Sequence, residues 1–253
     1  MSCRTALVLS AAVLTGAVFV AAEDLGYFTE TRIVTPVIVR ESAANPAAAP
    51  PLLVALHGRG GNANEFSNLW DALREPRPLL AVPQAPYPML LTGDTPTVGW
   101  SWFVLSKERK LWERADPFAV EHVLRVVSDL QKARATGPVY LLGFSQGVSL
   151  AYMAALQAPE RIAGVIAFAG KLPADTVPEA MFRAAAGTLR VFIAHGTEDR
   201  AIKVKESRNA KEHLEKLGYS VAYHEFSGGH QLSAELLREA QQWITTGHSK
   251  SSR

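Results

Sequence analysis

The chain has 253 residues, 48% hydrophobic and 20% charged, the balance of one globular domain with a sizeable core. Basic and acidic residues nearly cancel, 26 against 24 for a net charge of +2. With no Lys/Arg tract, aromatic–basic interleaving or Gly-x-x-x-x-Gly-Lys loop, the pattern argues against nucleic-acid partners and nucleotide binding.

Met1 to Ala22 differs in kind from the rest of the chain. Arg4 supplies a positive start, Thr5 to Val20 is almost wholly apolar, and Val20-Ala21-Ala22 sets small residues before the acidic Glu23-Asp24. This is the pattern of a secretory signal peptide cleaved after Ala22, which makes the mature protein soluble and exported, periplasmic or secreted. The rival reading is an uncleaved membrane anchor through residues 5–22, since about 17 apolar residues is the lower limit for spanning a bilayer. Cys3, the single cysteine, lies inside this segment and not at its end, which argues against a lipid-modified cleavage site. The mature chain would then hold no disulfide, no cysteine nucleophile and no thiolate metal site.

Tyr27 to Arg40 alternates loosely and predicts a strand pair at a sheet edge, broken near Pro36. Ala43 to Pro51, rich in Ala and Pro, reads as a loop. Leu52 to Leu56 is a pure apolar run, hence a buried strand, and ends in the glycine-rich His57-Gly58-Arg59-Gly60-Gly61-Asn62. A helix over Ala63 to Arg74 and a strand over Leu79 to Pro83 come after it. Gln84 to Trp112, with its Pro, Gly and Trp and no clear period, reads as a long loop flanking a site. Asp116-Pro117 reads as a cap and first residue of a helix whose inner face carries Val120, Val123, Leu124, Val127 and Leu130.

Strand Val139–Leu142 and helix Gln146–Leu156 come next, then strand Gly164–Ala169 and an irregular stretch, 170–188, with at most one short helix. Strand Arg190–Ala194, helix Lys205–Leu217, strand Val221–Phe226 and helix Ser233–Ile244 complete the domain, which spans residues 23–246. Residues 247–253 form a polar tail, expected to be disordered. Strands alternating with amphipathic helices predict an α/β fold, a mostly parallel sheet covered by helices on both faces. In such a sheet, sites gather beyond the carboxyl ends of the strands. No internal repeat and no insertion long enough for a large lid domain is present.

Three of those strand ends carry chemistry. Gly143-Phe144-Ser145-Gln146-Gly147 is a Gly-x-Ser-x-Gly turn between strand and helix, a nucleophile elbow that would lift the Ser145 hydroxyl clear of the sheet. Asp199 follows a second strand in His195-Gly196-Thr197-Glu198-Asp199, and His230 follows the last in Ser227-Gly228-Gly229-His230. Their order is that of the α/β-hydrolase triad: His230 would take the serine proton, and Asp199 would fix the imidazole tautomer. Glu198 is the rival acid. His213 and His224 fall inside predicted elements and His248 in the tail, so they read as surface or structural. His57 and His195 precede turn glycines and read as holding those turns by hydrogen bonds. No pair of histidines has zinc-ligand spacing, so no metal is expected. The backbone N–H of Gln146 and, from the glycine-rich loop, that of Arg59 are the candidate oxyanion donors.

Together, His57-Gly58-Arg59-Gly60-Gly61-Asn62, Gly143-Phe144-Ser145-Gln146-Gly147, Phe168-Ala169-Gly170-Lys171-Leu172-Pro173 and the His195–Asp199 and Gly228–His230 segments resemble the phospholipase/carboxylesterase family, over about residues 50 to 245. The resemblance implies the α/β-hydrolase fold and serine esterase or thioesterase activity on small-molecule carboxylic esters, without a cofactor. It implies Ser145, Asp199 and His230 as the triad and Arg59 and Gln146 as oxyanion donors. Gly58, Gly60, Trp100, Trp102 and Phe103 are the residues expected to bind substrate. Two positions depart from the family pattern: Val104 stands where an acid often follows Trp-Phe, and Val148 where a second glycine is common. The alternatives carried forward are an extracellular polyester or feruloyl esterase-like hydrolase and a ligand-binding protein on a hydrolase scaffold without catalysis.

Overall fold

Leu52–Leu56, strand β2, is apolar at every position because both faces of its sheet are covered. Leu52, Val54 and Leu56 enter one core cluster, with helix residues such as Val120, Val123, Ala151 and Leu214; Leu53 and Ala55 enter the other, with Leu69, Leu236, Leu237 and Ile244. The computed structural model describes residues 33–42, 49–104, 106, 107 and 109–246. The signal peptide, the rival anchor, the first part of the Tyr27–Arg40 strand pair and the polar tail lie outside the described residues. Among those described, no helix is long and apolar enough to cross a membrane.

Around β2 lie β1 (Val37–Arg40), β3 (Leu79–Pro83), β6 (Val139–Phe144), β7 (Gly164–Phe168), β8 (Arg190–Gly196) and β9 (Val221–Phe226). They form a seven-stranded sheet in the order β1-β3-β2-β6-β7-β8-β9. Every neighbour pairs in parallel except β1, which runs antiparallel to β3 at the edge. Helices α2 (Arg109–Ala133), α3 (Gln146–Gln157), α4 (Glu179–Ala185) and α5 (Val204–Lys216) supply the first cluster, and α6 (Ala234–Thr246) supplies the second. The short helix expected within 170–188 is α4. Among the described residues no large lid covers the carboxyl ends of the strands.

Three expectations need correction. Gln84 to Trp112 is not simply a loop: β4 (Tyr87–Leu91) and β5 (Thr97–Ser101) pair antiparallel as a hairpin apart from the main sheet. Its outward positions include Leu90 and Val98, 66% and 61% exposed and directly opposite each other, so the apolar–polar alternation that marks a strand is absent. Helix α2 starts at Arg109, about two turns ahead of Asp116, and runs through Pro117, which lacks the N–H that would reach the carbonyl of residue 113. The helix after the glycine-rich loop is α1 (Ala63–Phe66), capped by the Asn62 side chain, and then tightens into a 3-10 turn over Ser67–Ala72. There the Ser67 hydroxyl donates to the Asn64 carbonyl at 2.7 Å, an i−3 acceptor that favours the tighter turn.

Asp116 sits in α2 with its Oδ1 buried and without a hydrogen-bond partner among the described residues. Burial pushes its carboxyl up to about 6. The folded value lies above the unfolded one, so the group lowers stability as pH rises from about 4 to 6 and stays unfavourable above that. Asp116→Asn removes the charge and is expected to gain roughly 1 kcal/mol at pH 7.5, after discounting the shift for partial exposure, and nothing at pH 4. Urea unfolding at the two pH values measures the difference; an equal gain at both would assign it to packing instead.

Candidate active site

Ser145 has φ 53° and ψ −116°, a left-handed conformation rare for a residue with a side chain. It is held there from both sides. Its N–H donates to the Phe168 carbonyl at 3.0 Å, and its own carbonyl accepts from Val148 at 3.1 Å. The turn closes only because two flanking residues lack a Cβ. One on Gly143 would lie 2.4 Å from the Gly147 carbonyl oxygen, and one on Gly147 would lie 2.2 Å from the Leu56 carbonyl oxygen. Val148, in place of the second glycine, is buried against Gly170, where a Cβ would meet it at 2.3 Å. The space that a glycine would leave at 148 is thus recovered at 170.

The structure brings the three predicted residues together. The Ser145 hydroxyl donates to His230 Nε2 at 3.0 Å, and His230 Nδ1–H donates to Asp199 Oδ2 at 2.7 Å. Asp199 is 3% exposed, and its other oxygen accepts the N–H groups of Ala201 and Ile202 at 2.8 and 2.9 Å. Burial would raise this carboxyl. The hydrogen bonds from His230 and the Ile202 and Ala201 N–H groups, with the His230 charge, outweigh it and hold Asp199 below the usual carboxylate value. Glu198, the rival acid, is exposed and accepts from the Ser227 hydroxyl at 3.0 Å.

His195 and His57 hold turns, as their glycine neighbours suggested. His195 Nε2–H donates to the Ile202 carbonyl at 2.8 Å and lies 3.2 Å from Asp199 Oδ2, so it also braces the carboxylate. His57 is 1% exposed; its Nδ1–H donates to the Gly58 carbonyl and its Nε2 accepts from the Ala85 N–H. Burial keeps its imidazole below the ordinary value, hence neutral, with the Gly58 bond a smaller opposing effect.

The loop His57–Asn62 lies directly beside the serine: a Cβ on Gly58 would fall 3.3 Å from Ser145 Cβ. Gly58, Arg59, Asn62, Phe66 and Phe144 line a cleft of about 270 Å³ there, and Phe144 stands 5.0 Å, ring to ring, from His230. A larger cleft, about 550 Å³, lined by Pro138, Val139, Arg161 and Ile162, lies at the amino ends of β6 and β7, remote from this chemistry. Gly60 adopts φ +83°, and Trp100 and Phe103 are half-buried against the core. Trp102 corrects an expectation. It is fully buried, and its Nε1–H donates to the His57 carbonyl at 2.7 Å, so it supports the loop from below and does not line open space. Among the described residues, no group of three or more His, Cys, Asp or Glu side chains could hold a metal ion.

The phospholipase/carboxylesterase family model matches residues 38–248. The chain belongs to the phospholipase/carboxylesterase family. A SOBER1-like probable carboxylesterase of Arabidopsis thaliana is 28% identical over 129 residues, 50% of this chain and 49% of that protein, so the match spans about half of the relative's length. A probable carboxylesterase of Oryza sativa subsp. japonica is 26% identical over 201 residues, 75% of this chain and 85% of its own length. The crystal structure of esterase PE8 superposes with a TM-score of 0.67 at 27% identity, over 85% of this chain and 99% of that one. The fold is therefore that of the α/β-hydrolases, in an esterase- and thioesterase-type family.

Within the phospholipase/carboxylesterase frame, sequence reasoning passed over two features of the site. Phe144 looked like the variable residue of the elbow motif, and its place beside His230 depends on β9, far away in sequence. Gln146 was considered only for its backbone N–H, and its side chain carries a further role. It reaches the end of the hairpin, a contact with no local sequence signal.

Proposed function

We propose that this chain is a serine carboxylesterase that hydrolyses small to medium carboxylic esters or thioesters through an acyl-enzyme intermediate. The observation that carries this is the unbroken hydrogen-bonded line from the Ser145 hydroxyl through His230 to the buried Asp199. Ser145 Oγ attacks the carbonyl carbon as its proton passes to His230 Nε2. The developing oxyanion meets the N–H groups of Arg59 and Gln146. Collapse expels the alcohol or thiol, which leaves with the proton from His230. Water then attacks the acyl-serine with His230 again as base, releasing the acid. The modest cleft beside Ser145 favours a short acyl group. The same proposal includes export by way of residues 1–22; N-terminal sequencing of protein from the native host would oppose it on finding a chain that begins at Met1.

A fluorophosphonate probe is expected to label Ser145, and a series of chromogenic esters of rising acyl length to show turnover that declines for long chains. A protein that takes no label and turns over no ester of the series is not a serine esterase.

Arg59 contributes through its backbone in this reading. Its side chain is exposed, and its N–H is not engaged in a backbone hydrogen bond among the described residues. Arg59→Leu keeps the N–H and should retain kcat on a neutral ester within about tenfold. Arg59→Pro removes it and should lower kcat about a hundredfold or more, with the fold intact by circular dichroism. Equal damage in the two variants would assign the role to the guanidinium.

A further inference from the structure

Both candidate oxyanion donors adjoin an anchor to one strand, β5, and the residue just after it. On one side Gly60, the residue after Arg59, donates its N–H to the Trp100 carbonyl at 2.8 Å. A Cβ on Gly99 would fall 2.4 Å from the Gly60 carbonyl oxygen, so loop and strand touch backbone to backbone. On the other side the anchor is a side chain. Gln146 Oε1 accepts the Trp102 N–H at 3.0 Å, while its Nε2 donates to Ser101 Oγ, also at 3.0 Å. The Ser101 hydroxyl donates its own hydrogen bond to the Phe103 carbonyl at 2.7 Å, so its oxygen is left to accept from Gln146.

The residue type matters here. An amide accepts and donates at once; a carboxylate of the same length only accepts, and a methionine does neither to any useful degree. Immobilising a glutamine side chain also opposes folding through lost rotamer entropy, a penalty that a surface residue of α3 would avoid by pointing into solvent. Val104 cannot hydrogen-bond through its side chain, and the segment before it is held by Ser101 and Gln146.

We infer that the Gln146 side chain is a positioning residue for the oxyanion hole: by tying the first residue of α3 to β5, which also holds the Arg59 loop, it sets the separation of the two N–H donors. The inference rests on the acyl-transfer reading above. A ground-state ester carbonyl tolerates a loose pair of donors, whereas the tetrahedral oxyanion needs both at about 2.7–3.1 Å. Loss of the tie should therefore appear in kcat and in the binding of transition-state analogues, and not in KM.

The test compares the wild type with Gln146→Met, Ser101→Ala and the double variant, in kcat and KM for a short chromogenic ester and in the Ki of an arylboronic acid that adds to the serine. Gln146→Met should lower kcat about 10–100-fold and raise the boronate Ki by a similar factor, with KM within about threefold. Ser101→Ala breaks one of the two bonds and should lower kcat about 3–10-fold, and the double variant should match Gln146→Met within about twofold. A kcat for Gln146→Met within twofold of wild type overturns the inference. So does a loss of kcat that leaves the boronate Ki unchanged, or additive effects in the double variant. Should Gln146→Met fail to fold, a folded Ser101→Ala with unchanged kcat and boronate Ki overturns it equally. A wild type that neither hydrolyses the ester nor takes a fluorophosphonate label overturns the acyl-transfer reading itself, and this inference with it.

Discussion

Ser145→Ala is expected to lower kcat by about 10⁴–10⁶-fold and to abolish fluorophosphonate labelling, while the protein stays folded. The magnitude reflects the groups that the substitution leaves in place. Without Oγ, the imidazole of His230 has no nucleophile at 3.0 Å to deprotonate, and only the oxyanion donors and substrate binding still act on the barrier. Stability should change by under about 1 kcal/mol, because alanine carries the same Cβ at the same positive φ and no buried partner loses a bond other than His230. Ala169, at φ 50° beyond the neighbouring strand, already adopts such a conformation in this fold. Thermal unfolding and single-turnover kinetics on a chromogenic acetate check both halves. Turnover within tenfold of wild type would remove Ser145 from the mechanism.

Asp199→Asn should lower kcat by about 10⁴-fold, with a larger effect than its near-isosteric shape suggests. The amide has no free choice of orientation. The N–H groups of Ala201 and Ile202 both point at one oxygen, so the asparagine oxygen is drawn to that side. Its NH₂ then faces His230 Nδ1 and His195 Nε2, two atoms that donate in the wild type. His230 can answer only by accepting at Nδ1 and carrying its proton at Nε2, the tautomer that cannot take the serine proton. The variant should also change the acid limb of stability. Burial would raise the Asp199 carboxyl, but its hydrogen bonds and the His230 charge hold it low, so its folded value lies below the unfolded one. Its contribution is therefore present above about pH 4 and is lost as pH falls through the folded value. Asp199→Asn should flatten that decline in urea unfolding between pH 7 and pH 3. A kcat within about a hundredfold of wild type would instead favour Glu198 or solvent as the orienting group.

The family relation and the geometry bear differently on these variants. Membership in an esterase- and thioesterase-type family supports the broad chemistry proposed above, and the hydrogen-bonded line through Ser145, His230 and Asp199 supports a specific assignment of roles. In the function proposed above, substrate choice would rest on the half-buried Trp100 and Phe103, on the cleft at Gly58 and Phe144, and on the exposed face of the hairpin.

Much of this protein is legible in its residues alone. Leu52–Leu56, Val139–Leu142 and Gly164–Phe168 are apolar without interruption, and only strands buried on both faces need to be. Gly143 and Gly147 flank Ser145 because a Cβ at either position would collide with backbone, a constraint that leaves its mark in residue identity. Asp199 and His230 are likewise readable from their positions after strands, since a parallel sheet gathers its carboxyl ends on one side whatever the strand order. The tertiary structure decided the features that depend on contacts between distant segments. The hairpin over Tyr87–Ser101 escapes a sequence reading because Leu90 and Val98 face outward and erase the alternation. Helix α2 begins at Arg109, about two turns before Asp116-Pro117, the strong local start signal. Trp102 has the chemistry of a pocket residue, yet it lies beneath the His57 loop, and Gln146 reaches across to residues 101 and 102. Residue type records what a position requires of its own backbone and of water; which side chains meet across a fold depends on how whole elements pack, and local sequence carries no trace of that.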